Sequence, residues 1–207
     1  LSFESPSFQL LETMLFEPEV GVSLLDFHLE RLEDSADYFD FAIDLDIIRK
    51  HLISLQFSSP SKLRLMLSSD GHYELEAHHL IYSKVEIDLR LAGSAVNSSN
   101  VFLFHKTTNR DVYQKALNSV QNCDDVILWN ERDELTETTI ANLFLEFDGE
   151  LITPPLESGL LAGTYRRDML EKKLVKEAVV RKSDLKSAKK IYIANSIRGL
   201  VSARLLD

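Results

Sequence analysis

The spacing of apolar positions predicts a first half made of strands and two helices. Apolar side chains recur every three or four positions over residues 23–39, which is the period of an amphipathic helix. Ser69-Asp70-Gly71 lies between two apolar runs, as the turn of a β-hairpin does. The predicted elements are a strand over 8–16, helices over 23–39 and 44–56, a hairpin of 62–68 with 73–82, and a strand over 84–92.

The second half is predicted to consist mainly of strands. Its first apolar run, residues 101–105 (VFLFH), has the length of a short buried strand. Gly159 and Gly163 delimit a loop that opens a helix. The predicted elements are strands over 101–105, 125–129, 139–147, 150–153 and 190–194, helices over 110–121 and 164–176, and a helical tail from about 196.

A polar stretch over residues 93–100 separates these two patterns. The first pattern combines hairpins with two helices, whereas the second is dense in strands. We therefore predict an α+β fold of two lobes, with a small N-terminal lobe over residues 1–95 and a larger C-terminal lobe over residues 96–207.

Charge and composition exclude several classes of function. The 207 residues carry a formal net charge of −10 at pH 7, which disfavours nucleic-acid binding because phosphates require a basic face. The single cysteine, Cys123, rules out an intrachain disulfide and fits a reducing compartment. No apolar run approaches the roughly 18 residues of a membrane span, and the six histidines lack the spacing of a metal site. We expect a cytoplasmic protein without a metal, nucleic-acid or membrane partner.

Lys106 is the first candidate for chemistry, in the segment His105-Lys106-Thr107-Thr108-Asn109-Arg110. A lysine at the end of a buried strand loses hydration, which favours the neutral and nucleophilic amine. A nearby cation such as Arg110 would act in the same direction. The alternative is a solvated lysine at the edge of a sheet, which is the more common situation.

Three further features could bind charged groups. The loop Gly159–Gly163 precedes a helix, and backbone N–H groups at a helix start suit a phosphate, although an ordinary flexible loop has the same sequence. Glu137 lies at the entry to an apolar strand, where a carboxylate requires a cationic partner. Arg31 flanks the apolar face of the first predicted helix, where it could bind an anion or form a surface salt bridge.

Taken in order, five motifs resemble those of the class IV aminotransferases, the pyridoxal-phosphate enzymes of fold type IV. The resemblance extends from about Phe8 to Leu205, and the motifs are HLERL, HKTTNR, LTETTIANLF, GLLAGTYR and NSIRG. Within that family, HKTTNR and DDVILWNE look most like the aminodeoxychorismate lyase domain that is often fused behind the synthase. The resemblance makes the larger lobe the cofactor-binding one.

The resemblance implies a role for each matching residue. Lys106 would form the Schiff base with pyridoxal 5'-phosphate and then transfer protons. Glu137 would pair with the pyridine nitrogen and keep it charged, which makes the cofactor a strong electron sink. The residues expected to bind the cofactor phosphate are Arg31, the backbone N–H groups of Thr164 and Tyr165 after Gly163, and Ser196.

The same resemblance extends to the substrate and to partners. Arg110 would lie near the phenolic oxygen of the cofactor, Thr13 would border the substrate, and Arg110 or Arg198 would pair with a substrate carboxylate. Family members form their active sites near a subunit interface, which implies a homodimer. An association with an aminodeoxychorismate synthase would supply the substrate directly.

Three functions follow from these residues. The first is 4-amino-4-deoxychorismate lyase, which releases pyruvate and 4-aminobenzoate, a folate precursor. The second is a branched-chain or D-amino-acid aminotransferase that would use the same residues. The third is a non-catalytic relative that only binds the cofactor, and the presence of both Lys106 and Glu137 argues against it.

Overall fold

A computed structural model describes residues 7–80 and 85–206 of the chain. Within these ranges the chain forms two units. The first contains residues 7–80 together with 105–109, and the second contains residues 85–104 and 110–206. The chain therefore leaves the second unit after Phe104 and returns to it at Arg110.

The first unit is a four-stranded antiparallel sheet with two helices. The strands are β1 (Leu10–Glu17), β2 (Gly21–Val22), β3 (Ser61–Leu67) and β4 (Tyr73–His79), and the helices are α1 (Leu25–Phe39) and α2 (Leu45–Ser54). The sheet order is β2-β1-β3-β4. Alternate residues of β1, Leu10, Met14 and Phe16 among them, pack with Leu29 and Leu32 of α1 in one apolar core.

The second unit contains an eight-stranded sheet in its described residues. The strands are β5 (Glu86–Leu91), β6 (Asp125–Trp129), β7 (Leu135–Thr138), β8 (Asn142–Phe147), β9 (Glu150–Thr153), β10 (Lys176–Glu177), β11 (Lys190–Asn195) and β12 (Gly199–Leu205). Their order is β10-β9-β8-β11-β12-β5-β6-β7, and β7 also pairs with β8. That additional pairing closes six of the strands into a ring, and the cross-strand pair that forms it is Glu137 with Asn142.

Helices and short 3₁₀ turns complete the second unit. The helices are α3 (Asp111–Asn118) and α4 (Thr164–Glu171), and the 3₁₀ turns are Val101–Leu103, Leu156–Ser158 and Lys182–Ser187. No helix in the described ranges has both the length and the apolar character needed to cross a membrane.

Two predicted elements have a different structure. Residues 101–105 are not a strand, because Asn100 accepts a hydrogen bond from the Phe102 amide at 3.1 Å and starts a 3₁₀ turn. The predicted helical tail is the strand β12. Asn195 accepts hydrogen bonds from the amides of Ile197 (3.0 Å) and Arg198 (3.1 Å), which reverses the chain before β12.

Two other elements have different bounds. The strand predicted over 139–147 begins at Asn142, because Thr138 and Ala141 form a tight turn through the Thr138 amide and the Ala141 carbonyl (2.8 Å). The helix predicted over 164–176 ends at Glu171. Lys173 then takes a left-handed φ of 57°, which directs the chain into β10.

The second unit begins earlier along the chain than the predicted boundary near residues 93–100. Strand β5 belongs to the second sheet, because it pairs in parallel with both β12 and β6. The short segment 105–109 belongs to the first unit. The polar stretch correctly indicates a loop. It does not indicate the unit to which β5 belongs, because the strands that pair with β5 are far away in the sequence.

Candidate functional site

Lys106 is held by backbone hydrogen bonds to the start of β1. The Leu11 amide donates to the Lys106 carbonyl at 2.9 Å, and the Thr108 amide donates to the Gln9 carbonyl at 2.9 Å. The Thr108 hydroxyl accepts from the Gln9 amide at 2.9 Å. The segment thus lies beside β1 as a short antiparallel addition to the first sheet, which fixes the backbone from which the half-buried Lys106 side chain extends.

His105, the residue before Lys106, packs against side chains of helix α1. The His105 ring lies 4.4 Å from the Tyr38 ring and 4.9 Å from the Phe39 ring, centroid to centroid. Ser35 Oγ lies at hydrogen-bond distance, 2.9 Å, from His105 Nδ1. Burial lowers the pKa of this histidine, so it is neutral near pH 7. His105 is therefore a packing residue that positions Lys106.

A buried ionic cluster lies in the same unit. The Arg31 guanidinium binds the Glu12 carboxylate in a fork, with Nε at 2.8 Å from Oε1 and Nη2 at 2.7 Å from Oε2. His28 Nδ1 lies 2.6 Å from Glu12 Oε2. Glu12 and His28 are almost fully buried, and the Arg31 side chain is 12% exposed. The salt bridge considered for Arg31 thus exists, but it is an internal one.

Charge neighbours set the protonation of this cluster. Burial by itself would raise the pKa of Glu12, but the charges of Arg31 and His28 and their hydrogen bonds outweigh burial and lower it to about 2. Burial lowers the pKa of His28, and the positive charges of Arg31 and Lys106 add to this effect. At neutral pH the cluster is an ionised Glu12–Arg31 pair beside a neutral histidine, and Lys106 is within electrostatic range of it.

Glu137 is buried in the second unit, on β7, with three hydrogen-bond donors around its carboxylate. The Tyr113 hydroxyl donates to Oε1 at 2.9 Å, the Leu161 amide donates to Oε1 at 3.1 Å, and Asn142 Nδ2 donates to Oε2 at 3.2 Å. A carboxylate surrounded by donors is stabilised in its ionised form. The arrangement therefore favours a negative charge at this buried position.

Arg110 and Tyr113 form one wall of the Glu137 site. The Arg110 guanidinium lies 4.5 Å above the centre of the Tyr113 ring and also donates to the Thr139 carbonyl. Burial raises the pKa of Tyr113 well above its usual value of 10.0, and the Glu137 charge raises it further. The phenol therefore stays protonated and remains a donor to Glu137.

The glycine loop, Gly159–Gly163, binds Glu137 through the Leu161 amide and precedes α4. Gly163 is the N-cap of α4, no side chain caps this helix start, and Thr164 is its first residue. Backbone N–H groups in the first turn of such a helix are suited to an anion. A Cβ atom at Gly163 would overlap Asn142 Oδ1, so the close approach of the loop to β8 requires glycine.

The NSIRG motif lies near this loop in the second unit. Asn195 Nδ2 donates to the Ile140 carbonyl at 3.2 Å, which places the motif beside the turn between β7 and β8. The ring of Tyr165 lies 3.6 to 3.7 Å from the Cβ position of Gly199. Ser196 is half-buried in this turn and Arg198 is exposed.

The predicted residues therefore fall into two groups. The first unit contains Lys106, Arg31 and Thr13, the last half-buried on β1 opposite Arg64 of β3. The second unit contains the others, namely Glu137, Arg110, Gly163, Thr164, Tyr165, Ser196 and Arg198. In the described ranges no three His, Cys, Asp or Glu side chains are arranged to hold a metal ion.

Comparison with known proteins identifies the family. The family model described as "Amino-transferase class IV" matches residues 9–206. The chain belongs to this family. It is an enzyme of fold type IV, and the enzymes of this family use pyridoxal phosphate.

Named relatives of this class IV aminotransferase include both lyases and aminotransferases. A Schizosaccharomyces pombe protein named "Putative aminodeoxychorismate lyase" is 29% identical over 95% of this chain and 89% of its own length. A Thermotoga maritima protein named "Probable branched-chain-amino-acid aminotransferase" is 29% identical over 87% of this chain and 71% of its own length.

A solved structure supports the fold assignment. The crystal structure of a Mesorhizobium loti protein, described as a "Putative amino-acid aminotransferase", superposes with a TM-score of 0.87. It is 36% identical, and the match covers 97% of this chain and all of the other. The α+β fold predicted from the sequence is thereby confirmed.

Four residues that no motif or pattern predicts as site residues complete these contacts. They are Glu12, His28, Tyr113 and Asn142. Two of them lie inside motifs, since His28 begins HLERL and Asn142 lies in LTETTIANLF. A polar residue on a predicted apolar face was the available signal, and it applies to His28 on the buried face of α1.

Proposed function

We propose that this chain is a pyridoxal-phosphate-dependent 4-amino-4-deoxychorismate lyase that releases pyruvate and 4-aminobenzoate. The observation that carries the choice of reaction is the similarity to a lyase-named relative along 95% of the chain. The lyase-like segments HKTTNR and DDVILWNE support it.

The residues of the second unit fit this cofactor. A buried carboxylate with a fixed negative charge is the expected partner of a protonated pyridine nitrogen. Glu137 has that charge, because its neighbours Tyr113, Asn142 and Leu161 all donate to it. The uncapped start of α4 after Gly163 provides the backbone N–H groups that a phosphate requires.

In this proposal each residue has one task. When bound, pyridoxal phosphate supplies an electron sink that stabilises negative charge on the substrate carbon beside the amine. Lys106 would hold the cofactor through its Nζ atom and would accept the proton from that substrate carbon. Glu137 would pair with the ring nitrogen and favour its protonated form.

The phosphate would be held by the N–H groups of Thr164 and Tyr165, by Ser196 and by Arg31. Arg31 reaches this task with its orientation already fixed, since its Nε and Nη2 atoms bind Glu12. Fixing a long side chain before binding reduces the entropy lost when the anion binds.

The substrate is an anion, and we assign the binding of its carboxylate to Arg110 or Arg198. Thr13 would lie at the edge of the substrate. Arg110 is held by Tyr113 and the Thr139 carbonyl, whereas Arg198 is exposed. Local arginines attract an anionic substrate even though the chain as a whole is acidic. We also propose that the chain acts in the cytoplasm as a homodimer, alone or with an aminodeoxychorismate synthase, and sedimentation of the purified chain measures its state of assembly.

A branched-chain or D-amino-acid aminotransferase is the second candidate, because a relative with that activity in its name is also 29% identical. Both reactions begin with removal of the same proton, so the products separate them. Pyruvate formed from aminodeoxychorismate without an added keto acid supports the lyase. Conversion of the bound cofactor to its amine form by an amino acid, without pyruvate from aminodeoxychorismate, supports the aminotransferase.

Borohydride reduction tests the assignment of Lys106 separately from the reaction. Reduction of the chain with bound pyridoxal phosphate should fix the cofactor on the peptide that contains Lys106, and mass spectrometry identifies the modified residue. The Lys106→Ala variant should give no modified peptide, and Lys115→Ala, on an exposed face of α3, is the matched control. A modified peptide in Lys106→Ala would refute the assignment.

A further inference from the structure

The Asn142 side chain connects Glu137 to the loop that precedes α4. Its Nδ2 atom donates to Glu137 Oε2 at 3.2 Å and to the Leu161 carbonyl at 2.9 Å. The side chain is buried, with 4% of its residue surface exposed. Both protons of the amide are therefore used, one on the carboxylate and one on the loop.

The loop also binds Glu137 directly. The Leu161 amide donates to Glu137 Oε1 at 3.1 Å, so Leu161 binds Glu137 through its N–H and Asn142 through its carbonyl. Glu137 and Asn142 are themselves the cross-strand pair that joins β7 to β8. The three residues thus form a closed ring of contacts, in which the backbone of the loop is fixed by two side chains of the sheet.

The contacts of Leu161 and Asn142 extend to Gly163, at the start of α4. The Gly163 amide donates to the Leu161 carbonyl at 2.8 Å, and that carbonyl is the one that Asn142 binds. A Cβ atom at Gly163 would overlap Asn142 Oδ1. The Leu161 carbonyl and Gly163 are therefore both placed with reference to Asn142.

We propose that Asn142 is a positioning residue that couples the Glu137 carboxylate to the phosphate-binding loop, so that the ring end and the phosphate end of the cofactor are recognised as one unit. This inference rests on the proposed cofactor site. It assigns to Glu137 a second task, that of ordering the loop through Leu161 and Asn142, in addition to holding the charge of the ring nitrogen.

The test compares two probes that differ only in the phosphate, pyridoxal 5'-phosphate and pyridoxal, in binding titrations of the full chain. Asn142→Ala removes both hydrogen bonds, and Asn142→Asp keeps the shape but replaces the donor with an acceptor. We expect each variant to lose at least about tenfold in affinity for the phosphate-bearing probe and much less for pyridoxal, because loss of a buried hydrogen bond costs about one order of magnitude in binding.

Thr153→Val is the matched control. Thr153 is buried in the same unit, and its hydroxyl donates to the carbonyl of Leu143, the residue after Asn142. This variant also loses a buried hydrogen bond to β8, but it leaves Glu137 and the loop intact. It should keep the ratio of the two affinities at the value of the parent chain.

Hydrogen exchange gives a second readout that does not depend on the cofactor. In the parent chain the Leu161 and Gly163 amides should exchange slowly, because both are hydrogen-bonded. In Asn142→Ala they should exchange faster while the amides of β11 do not change. An unchanged affinity ratio with slow exchange at Leu161 would overturn the inference, whereas a parent chain that binds neither probe would overturn the proposed function instead.

Discussion

The hydroxyl of Tyr113 donates a 2.9 Å hydrogen bond to Oε1 of Glu137, and both side chains are buried in the second unit. Tyr113 lies on α3 and Glu137 lies on β7, so the contact joins a helix to the strand that helps to close the ring of strands. The Glu137 carboxylate is therefore stabilised by a residue from another element, which no local pattern in β7 specifies.

Replacing Tyr113 with phenylalanine should remove this hydrogen bond and lower stability. A buried acceptor that loses its donor costs about 1–3 kcal/mol in the free energy of unfolding. Urea denaturation of Tyr113→Phe and of the parent at pH 7 measures the difference. Tyr73→Phe, which loses a hydroxyl contact with exposed His51, is the control and should change stability far less.

The same pair predicts a dependence on alkaline pH. The folded state raises the pKa of Tyr113 above 10.0, so the unfolded chain loses this proton first and the stabilisation, complete below pH 10, declines as the pH rises further. The stability difference between the parent and Tyr113→Phe should narrow above pH 10. A difference that stays constant from pH 8 to 11 would contradict the role assigned to this phenol.

Glu12 should make the chain sensitive to acid. Its pKa is about 2 in the folded state against 4.5 for the free group, so its stabilisation is complete above pH 4.5 and is lost as the pH falls towards 2. The shift corresponds to about 3 kcal/mol at pH 7. Glu12→Gln should lose stability of that order at pH 7, and the loss should shrink in urea titrations at pH 4 and 3.

Glu17→Gln is a useful comparison for Glu12. Glu17 lies on the same strand and binds the Ser23 hydroxyl at 2.8 Å, but it has no arginine partner among the contacts described above. At pH 7, Glu17→Gln should lose far less stability than Glu12→Gln. Parallel behaviour of Glu12→Gln and the parent between pH 7 and pH 3 would show that the buried ionic cluster does not contribute as argued.

His28 should act in a different pH window. Burial lowers its pKa below 6.5, so the neutral ring stabilises the folded state above pH 6.5 and this contribution is lost as the pH falls through the lowered value. His28→Asn keeps a donor at the position of Nδ1 but cannot be protonated. Its urea midpoint should change less between pH 7 and pH 5 than that of the parent.

Gly163 and Asn142 should be energetically coupled. Gly163→Ala forces a methyl group onto Asn142 Oδ1, and displacement of a packed group typically costs about 1–3 kcal/mol. In an Asn142→Ala background the clash disappears, so the double variant should be more stable than the sum of the single changes predicts. Strict additivity in chemical denaturation would mean that the two residues are not in contact.

Sequence periodicity was a good guide wherever local patterns decide the structure. Helix α1 was predicted over 23–39 and runs from Leu25 to Phe39, because its apolar face repeats with the helical period. The hairpin of β3 and β4 was found from Ser69-Asp70-Gly71. In contrast, the pattern predicts a helix where β12 forms, because β5, one of the two strands that pair with β12, comes from a distant part of the chain.

The candidate site shows the same division. Lys106, Glu137 and Arg31 were singled out because each belongs to a motif, whereas their partners depend on tertiary packing. Tyr113 lies 24 residues before Glu137, and Glu12 lies 19 residues before Arg31, so neither contact leaves a local trace in the sequence. The position of Glu137 at the entry to an apolar strand predicts a cost of burial, but it does not say that Tyr113 and Asn142 supply the donors that offset this cost.

The return of residues 105–109 to the first unit has a consequence for dissecting the molecule. A fragment that contains only residues 85–206 would still include Lys106 in its sequence, but it would lack Gln9 and Leu11, whose backbones hold that segment in place. In that fragment Lys106 would lie in a segment without the β1 backbone that orders it. Glu137 would keep its donors Tyr113, Asn142 and Leu161, so removal of the first unit should disorder the Lys106 segment and leave the Glu137 contacts in place.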